Sequence, residues 1–253
     1  MQIVKTPRRG GRRAAVVAAS SLLIFMLLAS AMATGLTASF DRAVADAFHS
    51  HARANPLPTD LARVVTAVGS FWSVALIAAL TVVGLVVAGR LRMAVFWIAA
   101  IAGYGAFGQI LKWAFHRPRP VLPDPLVNES TWGFPSGHTL GSVVCFGLLA
   151  YVVCGQTFGR RGRLVAVAGA AFLATCIGFS RLYLGAHYPS DVLGSFGAGV
   201  FWLALVIAVE QATRHCPMPR HGSRCAPPNA GALKPERVRR LTSAQPDGFS
   251  VHK

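Results

Sequence analysis

Six runs of predominantly apolar residues, near 14–34, 64–89, 93–111, 138–156, 164–179 and 191–210, divide this chain, and most of its charges lie between or beyond them. A run of about 18 or more apolar residues is long enough for a helix to cross roughly 30 Å of hydrocarbon. Inside hydrocarbon the backbone can satisfy its hydrogen bonds only as helix or closed barrel. The runs therefore predict an all-α fold, a six-transmembrane-helix bundle. The fifth, 164–179, is short for a span and would need protein-packed ends or a locally thinned bilayer. Composition agrees: 53% of residues are hydrophobic and 13% charged, whereas soluble domains carry about a quarter charged residues.

The chain is strongly basic, with 25 Lys and Arg against 9 Asp and Glu. These cations neither follow one polar face nor alternate with stacking aromatics, as a nucleic-acid surface requires, so no nucleic-acid partner is expected. They fit membrane orientation instead, because Lys and Arg flanking a span resist translocation. Lys5, Arg8, Arg9, Arg12, Arg13, Arg90, Arg92, Arg160, Arg161, Arg163 and the tail cations from Arg214 to Lys253 all fall on one side of the alternation. Both termini are thus predicted cytoplasmic, in a protein of a bacterial plasma membrane. Segments 35–63, 112–137 and 180–190 face outward.

Three parts are expected: an N-terminal anchor and outer connector over 1–63, a membrane domain over 64–210, and a basic, disordered cytoplasmic tail over 211–253. The first run, with its basic flank and small residues at Ala29, Ala31 and Ala33, reads as a retained anchor or as a cleavable signal peptide. In the connector, Phe40, Val44, Ala47 and Phe48 recur at helical spacing and predict a short amphipathic helix on the outer surface. His49 and His51 lack the neighbouring Cys or carboxylates that a metal site needs. Of the five cysteines, Cys145, Cys154 and Cys176 lie in apolar runs, and Cys216 and Cys225 in the basic tail. That distribution reads as packing or inert thiols, not a disulfide framework.

The outward loops nonetheless hold Lys112, Arg117, Arg119 and Arg181, beside His116, His138 and His187. Any one cation could merely snorkel to headgroups; together they ask for an anion. Two spans separate His138 from Ser180, and an even number of crossings returns the chain to the same face. The fourth transmembrane helix begins at Pro135-Ser136-Gly137-His138, so its free N–H groups point outward. Ser136 reads as its N-cap, and Gly137 would let an anion approach the backbone closely. Phosphate suits such a site.

Three strings now stand in order: Lys112-x6-Arg119-Pro120, Pro135-Ser136-Gly137-His138, and Ser180-Arg181-x5-His187-x3-Asp191. Together they resemble the signature of the type 2 phosphatidic acid phosphatases, or lipid phosphate phosphatases, whose helical core is shared with bacterial acid phosphatases and vanadium haloperoxidases. The resemblance implies that core over about 60–210, and a phosphatase that needs neither metal nor other cofactor. It makes His187 the nucleophile, forming a phosphohistidine, with Asp191 orienting it and His138 protonating the leaving oxygen. Lys112, Arg119, Ser136, Gly137 and Arg181 would bind the phosphoryl group. His116, Arg117 and Tyr183 match no motif position; Trp113, Trp132 and Tyr188 read as interfacial aromatics.

The implied substrate is a membrane lipid phosphate or diphosphate at the outer leaflet, such as undecaprenyl diphosphate, phosphatidic acid or phosphatidylglycerol phosphate. Phosphotransfer to an alcohol would use the same residues. A non-catalytic anion-binding or transport protein would use the cations but leave the two histidines unexplained.

Overall fold

Five of the apolar runs become single helices and the second becomes two. The computed structural model describes residues 8–155 and 159–214. They form α1 (Arg8–Ala33), α2 (Ala38–Ala54), α3 (Pro56–Val68), α4 (Phe71–Val87), α5 (Leu91–Phe115), α6 (Gly137–Cys154), α7 (Arg160–Tyr183) and α8 (Pro189–Arg214), with no strand among the described residues. Helices α1, α5, α6, α7 and α8 are long and apolar enough to cross a membrane, and α3 with α4, bent by 42° at their break, is long and apolar enough to do so when taken as one. The chain is an integral membrane protein. The expected tail lies, beyond Arg214, outside the described residues.

Three local expectations need correction. The run 64–89 is not one helix, because Gly69 and Ser70 interrupt it and the Ser70 hydroxyl caps α4 by accepting the Ser73 N–H at 3.3 Å. The fifth span is not short. Its polar flanks continue the helix, so α7 has 24 residues and needs no thinned bilayer. Helix α2 does not simply rest on the surface by its apolar stripe: Phe40 is 60% exposed, and the buried residues are Asp41, Ala45, His49 and Ala52. The polar edge turns inward because its partners lie there. His49 Nε2 is 2.8 Å from the Pro123 carbonyl and His51 Nδ1 is 2.9 Å from the Tyr183 hydroxyl, so the two histidines tie α2 to a loop and to α7.

Helix α6 is the central element, packed against α4, α5, α7 and α8, while α1 lies along α8. Between apolar helices in lipid, close contact depends on small residues. A Cβ added at Gly147 of α6 would stand 2.3 Å from Leu203 Cδ2, and one at Gly199 of α8 would stand 2.8 Å from Val143. Below the loops, Phe25 of α1 stacks on Phe134 at 5.9 Å, and Phe115 meets the same ring edge-on at 4.8 Å. Leu76, Leu80, Val83 and Val87 of α4 stay exposed, as side chains facing lipid should.

The loops 116–136 and 184–188 and helices α2 and α3 meet at one end of this bundle: Arg117 contacts Asp41, Arg119 contacts His187, Arg181 contacts Thr66, and Lys112, Gly137 and His138 line one cavity. The even-crossing argument therefore holds, and residues of all three strings share one region.

Candidate active site

Helix termini aim the chemistry. Helix α7 ends in a Schellman motif, with the Ala186 N–H on the Arg181 carbonyl (3.0 Å), the Gly185 N–H on the Leu182 carbonyl (2.9 Å), and Gly185 at φ 67°. The reversal delivers His187 to the bundle interior two residues later, where it is 2% exposed. Pro189 then opens α8, and Asp191 sits in its first turn, fully buried.

The tautomer of His187 follows from its neighbours. Arg119 Nη1 lies 3.1 Å from His187 Nε2, and a guanidinium can only donate. Nε2 therefore accepts, its lone pair facing the cations, and the proton resides on Nδ1. That nitrogen faces Asp191 Oδ2 at 3.6 Å, slightly beyond hydrogen-bond length. Asp191 is fixed by others: Oδ2 accepts the Tyr188 N–H (2.9 Å) and Oδ1 accepts from Arg117 Nη1 (2.5 Å). Burial lowers the His187 pKa to about 4, against the pull of Asp191, so the imidazole is neutral at physiological pH.

The cations form an arc held by the 116–136 loop. Arg119 donates from Nε to the Thr131 carbonyl (2.7 Å) and from Nη2 to Thr131 Oγ1 (3.1 Å), while Lys112 Nζ reaches Thr131 Oγ1 (3.2 Å) and the Trp132 carbonyl (2.5 Å). Arg181 is 2% exposed; Nη1 donates to Thr66 Oγ1 (3.0 Å), Nη2 pairs with Glu129, and buried Nε has no hydrogen-bond partner.

Glu129 is the unexpected member. Its carboxylate bridges Arg181 and Arg119, the latter at 3.3 Å. Burial opposes its charge, but Arg181 and Arg119, with smaller help from His138 and His187, hold its carboxyl below the usual range. A carboxylate thus stands where two guanidiniums could receive an oxyanion.

Gly137 and His138 open onto different surroundings from Ser136. No atom lies within 4 Å of a Cβ built at Gly137, so the backbone there is approachable, as expected. Gly137, His138 and Lys112 line the mouth of a cavity of about 860 Å³ that continues between α4 and α5 past Tyr104, Trp97 and Val82. Ser136 occupies the N-cap position but does not cap: it is fully buried, its hydroxyl accepts from Thr139 (3.1 Å), and its N–H donates to Ser195 of α8 (2.7 Å). It therefore locks α6 to α8 and is the one expected phosphoryl ligand turned away from the arc.

Sequence reading missed Glu129, Thr131, Asp41 and the role of Arg117. Asp41 carried a usable signal: it is one of 9 acids in a chain with 25 cations, and it lies in an outward segment near unassigned arginines. Among the described residues, no three His, Cys, Asp or Glu side chains are grouped to hold a metal ion.

The arrangement, a neutral buried imidazole backed by a carboxylate and faced by Arg119 and Arg181, with Lys112 beside Arg119 on Thr131, is suited to transferring a phosphoryl group. Residues 93–214 match the family model of the PAP2 superfamily. Phosphatidylglycerophosphatase B of Bacillus subtilis (strain 168) is 35% identical over 104 residues, which cover 41% of this chain and 51% of that protein. Decaprenylphosphoryl-5-phosphoribose phosphatase of Mycolicibacterium smegmatis is 36% identical over 105 residues, covering 38% and 51%. The chain spans about half the length of these curated relatives. The crystal structure of a transmembrane PAP2 type phosphatidylglycerolphosphate phosphatase from Bacillus subtilis superposes with a TM-score of 0.71 at 26% identity, covering 77% of this chain and 96% of that one. The fold is thus that of the transmembrane PAP2 phosphatases.

Proposed function

We propose that this protein is an integral membrane phosphatase that releases phosphate from a lipid phosphate or diphosphate through a phosphohistidine. The observation that carries the reading is the joining of two environments. Lys112, which shares Thr131 with Arg119, lines with Gly137 and His138 the apolar cavity between α4 and α5, which suits an anionic headgroup on an apolar chain. Names of relatives support the same class, since each is called a phosphatase of a lipid-linked phosphate.

In this reading Glu129 yields Arg119 and Arg181 to the phosphoryl oxygens, with Lys112 and the Gly137 N–H completing the cradle. Ser136 supports it from behind. Nε2 of His187 attacks phosphorus as the bond to the leaving oxygen breaks, and His138 supplies the proton to that oxygen. The Nδ1–H is drawn toward Asp191 as positive charge grows on the ring. Water then attacks the phosphohistidine, giving its proton to His138 and freeing His187 and inorganic phosphate. Residues 64–210 form the catalytic membrane domain, anchored by 1–63. The cation distribution supports cytoplasmic termini and a site facing the periplasm or exterior.

The test is phosphate release by detergent-purified protein, with excess chelator, from isoprenyl diphosphates, phosphatidic acid and phosphatidylglycerol phosphate. Release is expected from at least one lipid and none from folded His187→Ala. Undiminished turnover in that variant would falsify the nucleophile assignment. Binding of these lipids by folded wild-type protein without any turnover would favour an anion-binding role.

A further inference from the structure

Behind the imidazole lies a second set of buried charges that no motif position covers. Arg117, 13% exposed in its side chain, bridges two carboxylates: Nη1 donates to Asp191 Oδ1 at 2.5 Å and Nη2 to Asp41 Oδ2 at 2.6 Å. Asp41 belongs to α2, outside the 93–214 match, yet its side chain is 1% exposed. It accepts the Ser190 N–H at 3.0 Å and the Ser190 hydroxyl at 2.6 Å, and that hydroxyl accepts from Arg117 at 2.6 Å. Asp41 thus caps the N-terminus of α8 from another helix. Tyr188 closes the assembly beneath the guanidinium, 4.8 Å from its ring centre. Although burial opposes its charge, Ser190 and Arg117 keep the Asp41 carboxyl below its ordinary range.

We propose that Asp41 and Arg117 are positioning residues that set the strength of the His187–Asp191 pair, an inference that rests on the phosphohistidine reading above. A guanidinium bound only to Asp191 would hold that carboxylate but drain its negative charge, weakening its pull on the Nδ1–H. By dividing one guanidinium between two carboxylates, the cluster leaves Asp191 fixed and still basic. Helix α2 then contributes to reactivity without touching substrate. The two carboxylates and one guanidinium sum to one net negative charge behind the ring, opposite the arc in front of it.

Charged and titratable groups reach His187 from every side: Arg119 and Glu129 from the 116–136 loop, His138 from α6, Arg181 from α7, and Asp191 from α8 with Arg117, Asp41 and Tyr188 behind it. Removing a negative charge behind the ring lowers the imidazole pKa, and removing the positive one raises it. Asp41→Asn should therefore move the acid limb of kcat/KM to lower pH, and Arg117→Met should move it higher. In both, kcat should fall by about 10- to 100-fold, the loss seen when the carboxylates that orient metal-bound imidazoles are removed, with KM within about twofold. Arg117→Lys keeps the charge but cannot span both carboxylates; it should keep the acid limb in place while losing kcat. His51→Ala is the control, since it frees α2 from Tyr183 without reaching Asp191, and its kinetics should match wild type.

The measurement is kcat, KM and pH profile of phosphate release for these variants, each checked for folding by thermal denaturation, with His187→Ala alongside. Opposite displacements in Asp41→Asn and Arg117→Met establish the proposal. Wild-type kinetics and profile in folded Asp41→Asn, with His187→Ala silent, overturn it and leave the phosphatase reading intact. If Arg117→Met does not fold, lost kcat with the limb retained in Arg117→Lys and its downward shift in Asp41→Asn decide the matter. Release that persists in His187→Ala, or no release by folded wild type, removes both readings.

Discussion

Glu129 shows how far side-chain chemistry can depart from a motif. The three strings place Lys112, Arg119 and Arg181 at one end of the bundle, and charge balance then demands anions among them. Burial of three cations without a counter-ion would be costly, and Glu129 supplies one by pairing with Arg119 and Arg181. No spacing rule points to it, because its partners lie 10 and 52 residues away. Substituting Glu129→Gln removes the competing charge while keeping size, so orthovanadate inhibition of phosphate release should tighten by about tenfold, one pair-sized increment of 1.4 kcal/mol. An unchanged inhibition constant would place Glu129 outside the anion pocket. Asp41 was hidden for a related reason, since 149 residues separate it from Ser190, and a polar residue on an amphipathic helix looks the same whether it meets water or a buried arginine.

At the scale of elements, hydropathy located the spans but could not register their joints. The break between α3 and α4 lies within a run that stays apolar on both sides, and its only sign is the Gly69-Ser70 pair. The turn between α7 and α8 is more exposed to test. Gly185 has φ 67°, and an added Cβ would approach Leu122 Cδ1 to 2.5 Å. Gly185→Ala should lose about 1–2 kcal/mol from the left-handed backbone alone, read as a lower midpoint of thermal unfolding in detergent. It should also slow turnover, because His187 is carried on the same reversal. Gly185→Asn, better tolerated in that region, should lie between Ala and wild type. Equal stability for all three would mean the turn relaxes without strain.

For the whole molecule, the strings and the parity of crossings sufficed to bring distant segments together, and the superposition over 77% of the chain matches that bundle. Orientation rests on cation distribution, so it has its own measurement. In a protein otherwise free of reactive cysteines, Ser130→Cys should react in intact cells with a membrane-impermeant thiol reagent. Labelling only after the cells are opened would reverse the proposed topology. The cavity beside α4 and α5 carries a further consequence for how the protein should be assayed. Phe71 and Ile98, 70% and 53% exposed, line it, so under the proposed function a lipid phosphate would enter from within its own leaflet and never traverse water. Encounters are then two-dimensional. In mixed micelles, velocity should follow the mole fraction of lipid phosphate at the micelle surface and stay constant when micelles are diluted at fixed composition, until protein and micelle part.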